Sequence, residues 1–255
     1  MDSARIAELL KPFLSKSIAL EKLPLEKLSF RAEPEGSQSE PSGAAEEPAF
    51  LSPSQLQSIS TYIDLLSRWN ARINLTAIRD PEQIVTRHFG ESLFVARALF
   101  PGRVDAGDSP AHVIDIGSGA GFPGLPIKIW APGIHLTLIE SNQKKATFLR
   151  EVVRSTKLTN VDVFAGRAED FPPPGTGRSL TVTLRAVEHF ERILTVAASL
   201  VPTTGRLAML IGDSQVQQAQ ELVPAFTWSL PTVVPLSSRR VLLISRNQQE
   251  HVPHK

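Results

Sequence analysis

Apolar side chains recur at helical spacing near the start of the chain. Ile6, Leu9, Leu10, Phe13 and Leu14 share one face, within a helical pattern that runs over residues 3–30. The pattern then stops. Residues 31–48 are rich in Glu, Pro, Ser, Gly and Ala and hold almost no large apolar group. Such a stretch buries too little surface to offset its ordering entropy, so it reads as a flexible linker or insertion. Helical order resumes at Ser52-Pro53-Ser54, with Ser52 as N-cap and Pro53 at the first helical position. Leu56, Ile59, Tyr62, Ile63, Leu66 and Trp69 carry that helix onward, and a further helix is expected over 81–99.

From His112 the period changes. Strands are predicted over 112–115, 136–140, 161–164, 180–184 and 206–211, with helices over 125–130, 143–157 and 189–200. Two late segments, 232–236 and 241–245, flank Ser237-Ser-Arg-Arg240 and read as an antiparallel pair. Repeated strand–helix units build a parallel sheet with right-handed crossovers and helices on both faces. The expected division is N-terminal helices over 1–30, a linker over 31–50, a helical cap over 51–105 and an α/β domain over 106–250.

Bulk properties narrow the classes. The chain has 255 residues, with 27 Lys+Arg against 26 Asp+Glu and a formal net charge of +1. No global charge marks a nucleic-acid binder, so any such contact must come from local patches. There is no cysteine, which removes disulfides, thiolate metal sites and a cysteine nucleophile. The first residues lack a signal-peptide core, and no apolar run is long enough for a bilayer. A soluble cytoplasmic protein is the expectation.

The most informative stretch is Val113-Ile-Asp-Ile-Gly-Ser-Gly-Ala-Gly-Phe-Pro-Gly124, followed by Leu138-Ile-Glu140. It reads as a buried strand, a glycine-rich turn, a helix, and a second strand ending in a carboxylate. Glycines such as Gly117 and Gly119 let backbone approach a ligand closely. Glu140, at the end of the second strand, is placed to take the hydroxyls of a ribose. The segment Gly119-Ala-Gly-Phe-Pro-Gly124 also satisfies the dinucleotide pattern, which leaves a nicotinamide enzyme open. Two details favour S-adenosylmethionine. Asp115 would repel a pyrophosphate but suits a cationic, amino-acid-bearing ligand. Pro123 and Pro126 interrupt the helical turn on which a pyrophosphate would rest. After the third strand, Gly166-Arg-Ala-Glu-Asp170 offers Ala168 and Glu169 as walls for an adenine ring.

Five segments resemble the RsmG (GidB) family of small-subunit rRNA methyltransferases. They are Trp69-Asn-Ala-Arg-Ile-Asn-Leu-Thr76, Arg87-His-Phe-Gly-Glu-Ser-Leu93, Asp115-Ile-Gly-Ser-Gly-Ala-Gly-Phe-Pro-Gly124, Glu140-Ser-Asn-Gln-Lys-Lys-Ala-Thr-Phe-Leu-Arg150, and Arg185-Ala186. The likeness covers roughly residues 55 to 245. It implies a class I AdoMet-dependent (Rossmann-like) fold, with a seven-stranded, mostly parallel sheet, a C-terminal antiparallel pair and an N-terminal helical cap. It implies methyl transfer from S-adenosylmethionine to N7 of a guanine in 16S rRNA, in the 530 loop, leaving S-adenosylhomocysteine. The cofactor positions it carries over are Gly117, Phe122, Ala168, Glu169 and Arg185, with Glu140 as the ribose acid of the wider class. The chain departs from the family pattern at three places. Glu91 stands where an aspartate is usual, Leu184 replaces a small residue, and Met209-Leu-Ile-Gly212 lacks an expected lysine.

The implied chemistry needs no general base, because guanine N7 is an unprotonated lone pair. The protein's task is orientation. Arg185 is therefore expected to position the base through O6 or a phosphate, not to move a proton. Arg68, Arg72, Arg79, Arg87, Arg97 and Arg103 outnumber the local acids Asp80, Glu82 and Glu91 and could follow a phosphate backbone. Arg87 and His88 are the candidate RNA contacts, a core histidine being the alternative for His88. Trp69 reads as core, and Asn70 and Asn74 as turn formers. The six histidines show no metal-ligand spacing. The expected partner is 16S rRNA within the 30S subunit or a precursor, met by a monomer away from any membrane. Two further readings stay open: a methyltransferase acting on a protein or small molecule, and a non-catalytic AdoMet- and RNA-binding assembly factor.

Overall fold

The computed structural model describes residues 1–15, 50–102, 111–172 and 180–247. The first helix ends at Leu14, with Ser15 extended, short of the helical pattern expected over 3–30; the rest of that pattern and the linker reading, at residues 16–49, lie outside the described residues. The first helix, α1 (Ser3–Leu14), begins where Asp2 accepts the Arg5 amide at 2.8 Å. In α2 (Pro53–Ile73) the Ser52 side chain accepts the Gln55 amide while the Gln55 side chain takes the Ser52 amide, a reciprocal cap. Asn74 ends α2 in the left-handed region, as a short polar side chain can.

The helix expected over 81–99 forms, but not as one regular helix. Short α3 (Pro81–Gln83) runs into a π-helical stretch, Ile84–Gly90, and then into α4 (Glu91–Leu99). A seven-residue π stretch is unusual and shifts the register of backbone carbonyls relative to an α-helix. It carries Arg87 and His88, and its carbonyls are used in the site below.

The α/β part follows in order: β1 (His112–Ile116), α5 (Gly124–Trp130), β2 (His135–Ile139), α6 (Gln143–Ser155), β3 (Val161–Phe164), β4 (Leu180–Arg185), α7 (Phe190–Leu200), β5 (Arg206–Gly212), α8 (Val216–Leu222), β6 (Phe226–Trp228), β7 (Thr232–Val233) and β8 (Arg240–Asn247). The strands β3-β2-β1-β4-β5 are parallel, and β8 adds antiparallel to β5. Strand residues alternate between the faces. Val113, Leu136 and Leu138 join a core with α5, α6 and the cap, whereas Ile114, Ile116 and Ile139 join one with α7 and α8.

The expectation of seven strands needs one refinement. β5 pairs along β8 from Arg240 to Arg246, so β6 and β7 must share the other side of β8. Eight strands thus fill seven positions. The edge breaks at Pro231, which has no amide to donate. Across the break the Ile244 amide donates to the Ser229 hydroxyl at 3.2 Å. The strand expected over 232–236 stops at Val233, because the Ser237 amide turns back to the Val234 carbonyl and Leu236 takes a φ of 58°. Strand β6 and helix α8 carried no clear signal in the sequence.

Candidate functional site

A cleft of about 610 Å³ opens at the C-terminal ends of β1, β2 and β4. This is where ligands settle in open α/β sheets, and the volume lies within the usual range for small-molecule sites. Its floor is the β1–α5 loop, in which Gly117, Gly119 and Gly121 all have positive φ. A β-carbon on Gly121 would lie 2.6 Å from Leu125 and would also strike the Tyr62 hydroxyl, so only glycine fits.

The loop's amides are largely satisfied from within. Ser118 donates to the Ile139 carbonyl at 3.0 Å and Gly121 to the Ser118 carbonyl at 2.6 Å. Gly119 donates to Glu140 Oε2 at 2.8 Å and Gly124 to Asp115 Oδ2 at 3.3 Å. These amides are not free to receive a pyrophosphate, the feature a dinucleotide loop depends on.

Glu140 lines the cleft. Its second oxygen accepts the Asn142 amide at 2.8 Å, so the carboxylate is fixed while each oxygen keeps further acceptor capacity. Asp115 is placed differently from the sequence reading. It does not line the cleft but lies beneath the loop, 1% exposed, accepting from Thr183 at 2.7 Å and from Gly124. Burial pushes its carboxyl up to about 6 despite those bonds. It pins the loop to β4, so the expected direct contact with a cationic ligand is replaced by support from below.

Phe122 is the hinge between loop and cap. Its ring stacks on Tyr62 of α2 at 5.3 Å and on His88 of the π stretch at 4.7 Å, with Phe89 edge-on at 5.1 Å. The Tyr62 hydroxyl donates to the Ala120 carbonyl. Nothing in the sequence marked Tyr62 beyond its place on an apolar helix face.

The opposite wall is built by Ala168, Glu169 and the β4–α7 loop. Ala168 is buried, and Glu169 pairs with Arg192 of α7. Ala186 and His189 both take left-handed φ values, 48° and 52°, just beyond Arg185. Such conformations in residues with side chains cluster at functional sites.

Arg185 is held by the cap. It donates to the His88 carbonyl at 3.3 Å, the Ser92 hydroxyl at 3.1 Å, the Arg87 carbonyl at 2.5 Å and His88 Nδ1 at 3.2 Å. It also lies 3.1 Å from Glu91. Burial draws its guanidinium down to about 10. Because an arginine only donates, His88 Nδ1 must accept, which puts the proton on Nε2, directed at Thr76 Oγ1 at 2.8 Å. Burial and three neighbouring arginines hold His88 at about 3, so it is neutral. Asn70 in turn clamps Thr76 through two backbone bonds of 2.9 Å. His88 is thus a satisfied, half-buried histidine that also forms part of the cleft wall.

Glu91 is the centre of this arrangement. It is 1% exposed and meets Arg87 at 2.9 Å, Arg185 at 3.1 Å and Arg240 at 2.8 Å. Arg240, from the start of β8, also lines the cleft. The sequence presents Glu91 as a departure from the family pattern and as one of the acids near the arginines, without a role of its own, and does not mark Arg240 as a site residue. The usable signal for Glu91 was an acid four residues after Arg87 inside an apolar helical run. Trp69 packs on Phe148 and donates to Glu151 at 2.9 Å, in keeping with a structural residue.

This geometry fits an adenosine-containing cofactor without a pyrophosphate: a closed glycine loop, a fixed carboxylate at the end of β2 and a small residue on the facing wall. Comparison with known proteins gives the family. Residues 55–240 match the model of the GidB family, rRNA small subunit methyltransferase G. The chain belongs to that family. A curated ribosomal RNA small subunit methyltransferase G from Xylella fastidiosa is 40% identical over 192 residues, 73% of this chain and 84% of that protein. One from Stenotrophomonas maltophilia is 41% identical over 176 residues, 69% and 77% of the two chains. Among solved structures, a SAM-dependent methyltransferase from Aquifex aeolicus aligns at a TM-score of 0.51 with 14% identity, covering 68% of this chain and 96% of that one. The fold of this GidB-family chain is the class I methyltransferase fold. Among the described residues, no helix is long and apolar enough to cross a membrane.

Proposed function

We propose that this protein transfers a methyl group from S-adenosylmethionine to N7 of a guanine in 16S rRNA, in the 530 loop of the 30S subunit or its precursor. The observation that carries the cofactor is the internally bonded β1–α5 loop with Glu140 fixed above it, which favours a phosphate-free adenosine ligand over a dinucleotide. The names of the curated relatives support the RNA target. On this reading the protein acts in the cytoplasm as a monomer.

Glu140 would hold the ribose, Ala168 and Glu169 the adenine edge, and Gly117 and Gly119 the backbone approach. When bound, the cofactor supplies an electrophilic methyl carbon that the N7 lone pair takes up by in-line displacement, with positive charge passing from sulfur to base. No residue need remove a proton, and the neutral, fully bonded His88 agrees with this. The residues orient the two reactants and exclude water, an effect that can be worth several kcal/mol, with ~7–11 as the ceiling in ideal cases. Arg185 lines the cleft and fixes the π stretch beside it, a positioning role without proton transfer.

The test is transfer of tritium from labelled S-adenosylmethionine to 30S subunits from a strain lacking this protein, followed by nuclease digestion. Label is expected as N7-methylguanine in 16S rRNA. Cofactor binding with label on a protein or small molecule, or with no transfer, would overturn the RNA reading and leave the fold.

A further inference from the structure

The arginine cluster carries an unbalanced charge. Arg87, Arg185 and Arg240 contribute three positive charges against the one negative charge of Glu91, and His88 is neutral. Asp115, which lies close enough to Arg185 to influence it and accepts from Thr183 and Gly124, adds a second negative charge above its titration near 6, so one positive charge remains in excess. The three arginines differ in how they are held. The Arg185 side chain is 5% exposed and bonded on every side to the cap. Those of Arg87 and Arg240 are 41% and 33% exposed, and each meets Glu91 through one nitrogen. Arg87 Nε takes Oε1 and Arg240 Nη1 takes Oε2, so the two guanidinium groups flank a single carboxylate, and each keeps further N–H donors beyond that bond. The backbone reinforces this for Arg240, whose amide donates to Ser237 Oγ at 3.0 Å and whose carbonyl accepts from Val234 at 3.0 Å.

We propose that Arg87 and Arg240, braced by Glu91, form a clamp for one backbone phosphate of the RNA next to the target guanine. This rests on the RNA reading above. Guanidinium forks match phosphate oxygens, and a group fixed before binding loses less freedom on binding. The chemistry gives a further reason. Methyl transfer leaves positive charge on the base, and an uncompensated cationic cluster beside it would oppose the reaction. A phosphate in the clamp supplies the missing negative charge. It also makes Arg240 a positioning residue: it holds the nucleotide without touching N7. In β8 Arg240 pairs with Gly212, so it stands beside the end of β5, where the sequence has no cation of its own.

The experiment is the salt dependence of binding to 30S subunits from the strain lacking the protein, with cofactor affinity measured separately by calorimetry. Removing Arg240 leaves Glu91 paired with Arg87 and Arg185, so Arg240→Gln is expected to fold, and an unchanged melting temperature would verify it. Arg240→Gln and Arg87→Gln should each flatten the plot of log K against log salt, and the double variant should lose about one unit of slope, the share of a single phosphate. Arg240→Lys should restore the slope but recover turnover only in part, because a point charge does not reproduce the fork. Cofactor affinity should stay unchanged throughout. An unaltered slope overturns the clamp while the RNA reading survives. A fall in cofactor affinity with an unaltered slope assigns the anion to the carboxylate of the cofactor's amino-acid tail and also overturns it. Absence of salt-dependent binding by the unmodified protein removes the RNA reading, and the clamp with it.

Discussion

Phe13 of α1 lies so close to Gly90 that a β-carbon on Gly90 would strike its ring, 2.6 Å from Cδ2 and 2.7 Å from Cζ. Gly90 is the last residue of the π stretch and directly precedes Glu91. The glycine is there for space, since its φ of −58° is ordinary for a helix. In an open helix Gly→Ala would gain ~1 kcal/mol. Here overpacking opposes that gain with a cost of ~1–3 kcal/mol. Gly90→Ala is therefore expected to be neutral to destabilising and to lower turnover by displacing Glu91. Urea unfolding and methyl transfer measured together check this, and a clear stabilisation would contradict it.

Glu91→Gln should be the most damaging isosteric change in the cap. It leaves three guanidinium groups around a neutral amide, and removing one partner of a buried ion pair costs ~3–5 kcal/mol. Two of the arginines are partly solvated, so the lower end is expected. The readout is the urea midpoint, accompanied by weaker cofactor binding as Arg185 loosens.

Asp115 gives a pH signature. Its folded-state carboxyl is raised from 3.8 to about 6, so between these values the folded chain holds a proton that the unfolded chain has lost. Stability then falls as pH rises through this window, by up to ~1.4 kcal/mol per unit. His88, lowered from 6.5 to about 3, acts in the opposite sense: its contribution is present above the unfolded value and is lost as pH falls. The difference in unfolding free energy between the unmodified protein and Asp115→Asn isolates the carboxyl. It should decline from pH 4 toward pH 6 and level off above. A flat difference would refute the assignment.

Glu140→Gln should weaken S-adenosylmethionine binding about tenfold or more, the usual scale for losing hydrogen bonds to a charged group. The amide can still accept the Gly119 amide but cannot serve two backbone donors and a ribose equally. Calorimetric titration reads this directly, and thermal unfolding without cofactor should change far less.

The parts of the molecule that repeat a local rule were legible from the sequence. The short, largely apolar runs of β1, β2, β4 and β5 and the capped start of α2 carry their own signals, and the glycine loop between Asp115 and Gly124 announces a ligand through residue type alone. What escaped depends on long-range pairing. β6 holds only Phe226, Thr227 and Trp228, and becomes a strand because β8 offers it a partner edge. α8 has one buried residue, Ala219, and so little amphipathic pattern. The π stretch looked like ordinary helix because periodicity cannot distinguish one added residue per turn. Arg240 stood in a serine–arginine turn 149 residues from Glu91, and no spacing rule links positions so far apart. Asp115 reads from the sequence as facing the ligand, but a carboxylate at a strand end can face the ligand or brace the loop, and only burial distinguishes them.

The interrupted strand at the end of the sheet has a bearing on how the protein behaves in a crowded solution. A long run of unpaired amides and carbonyls invites another chain to add on. Here the outer strand is cut into pieces of three and two residues, with Pro231 between them. At the far side Arg150 reaches over β3 to the Val163 carbonyl. Neither border offers an unbroken template, so the same features that end the sheet also guard it against edge-to-edge aggregation.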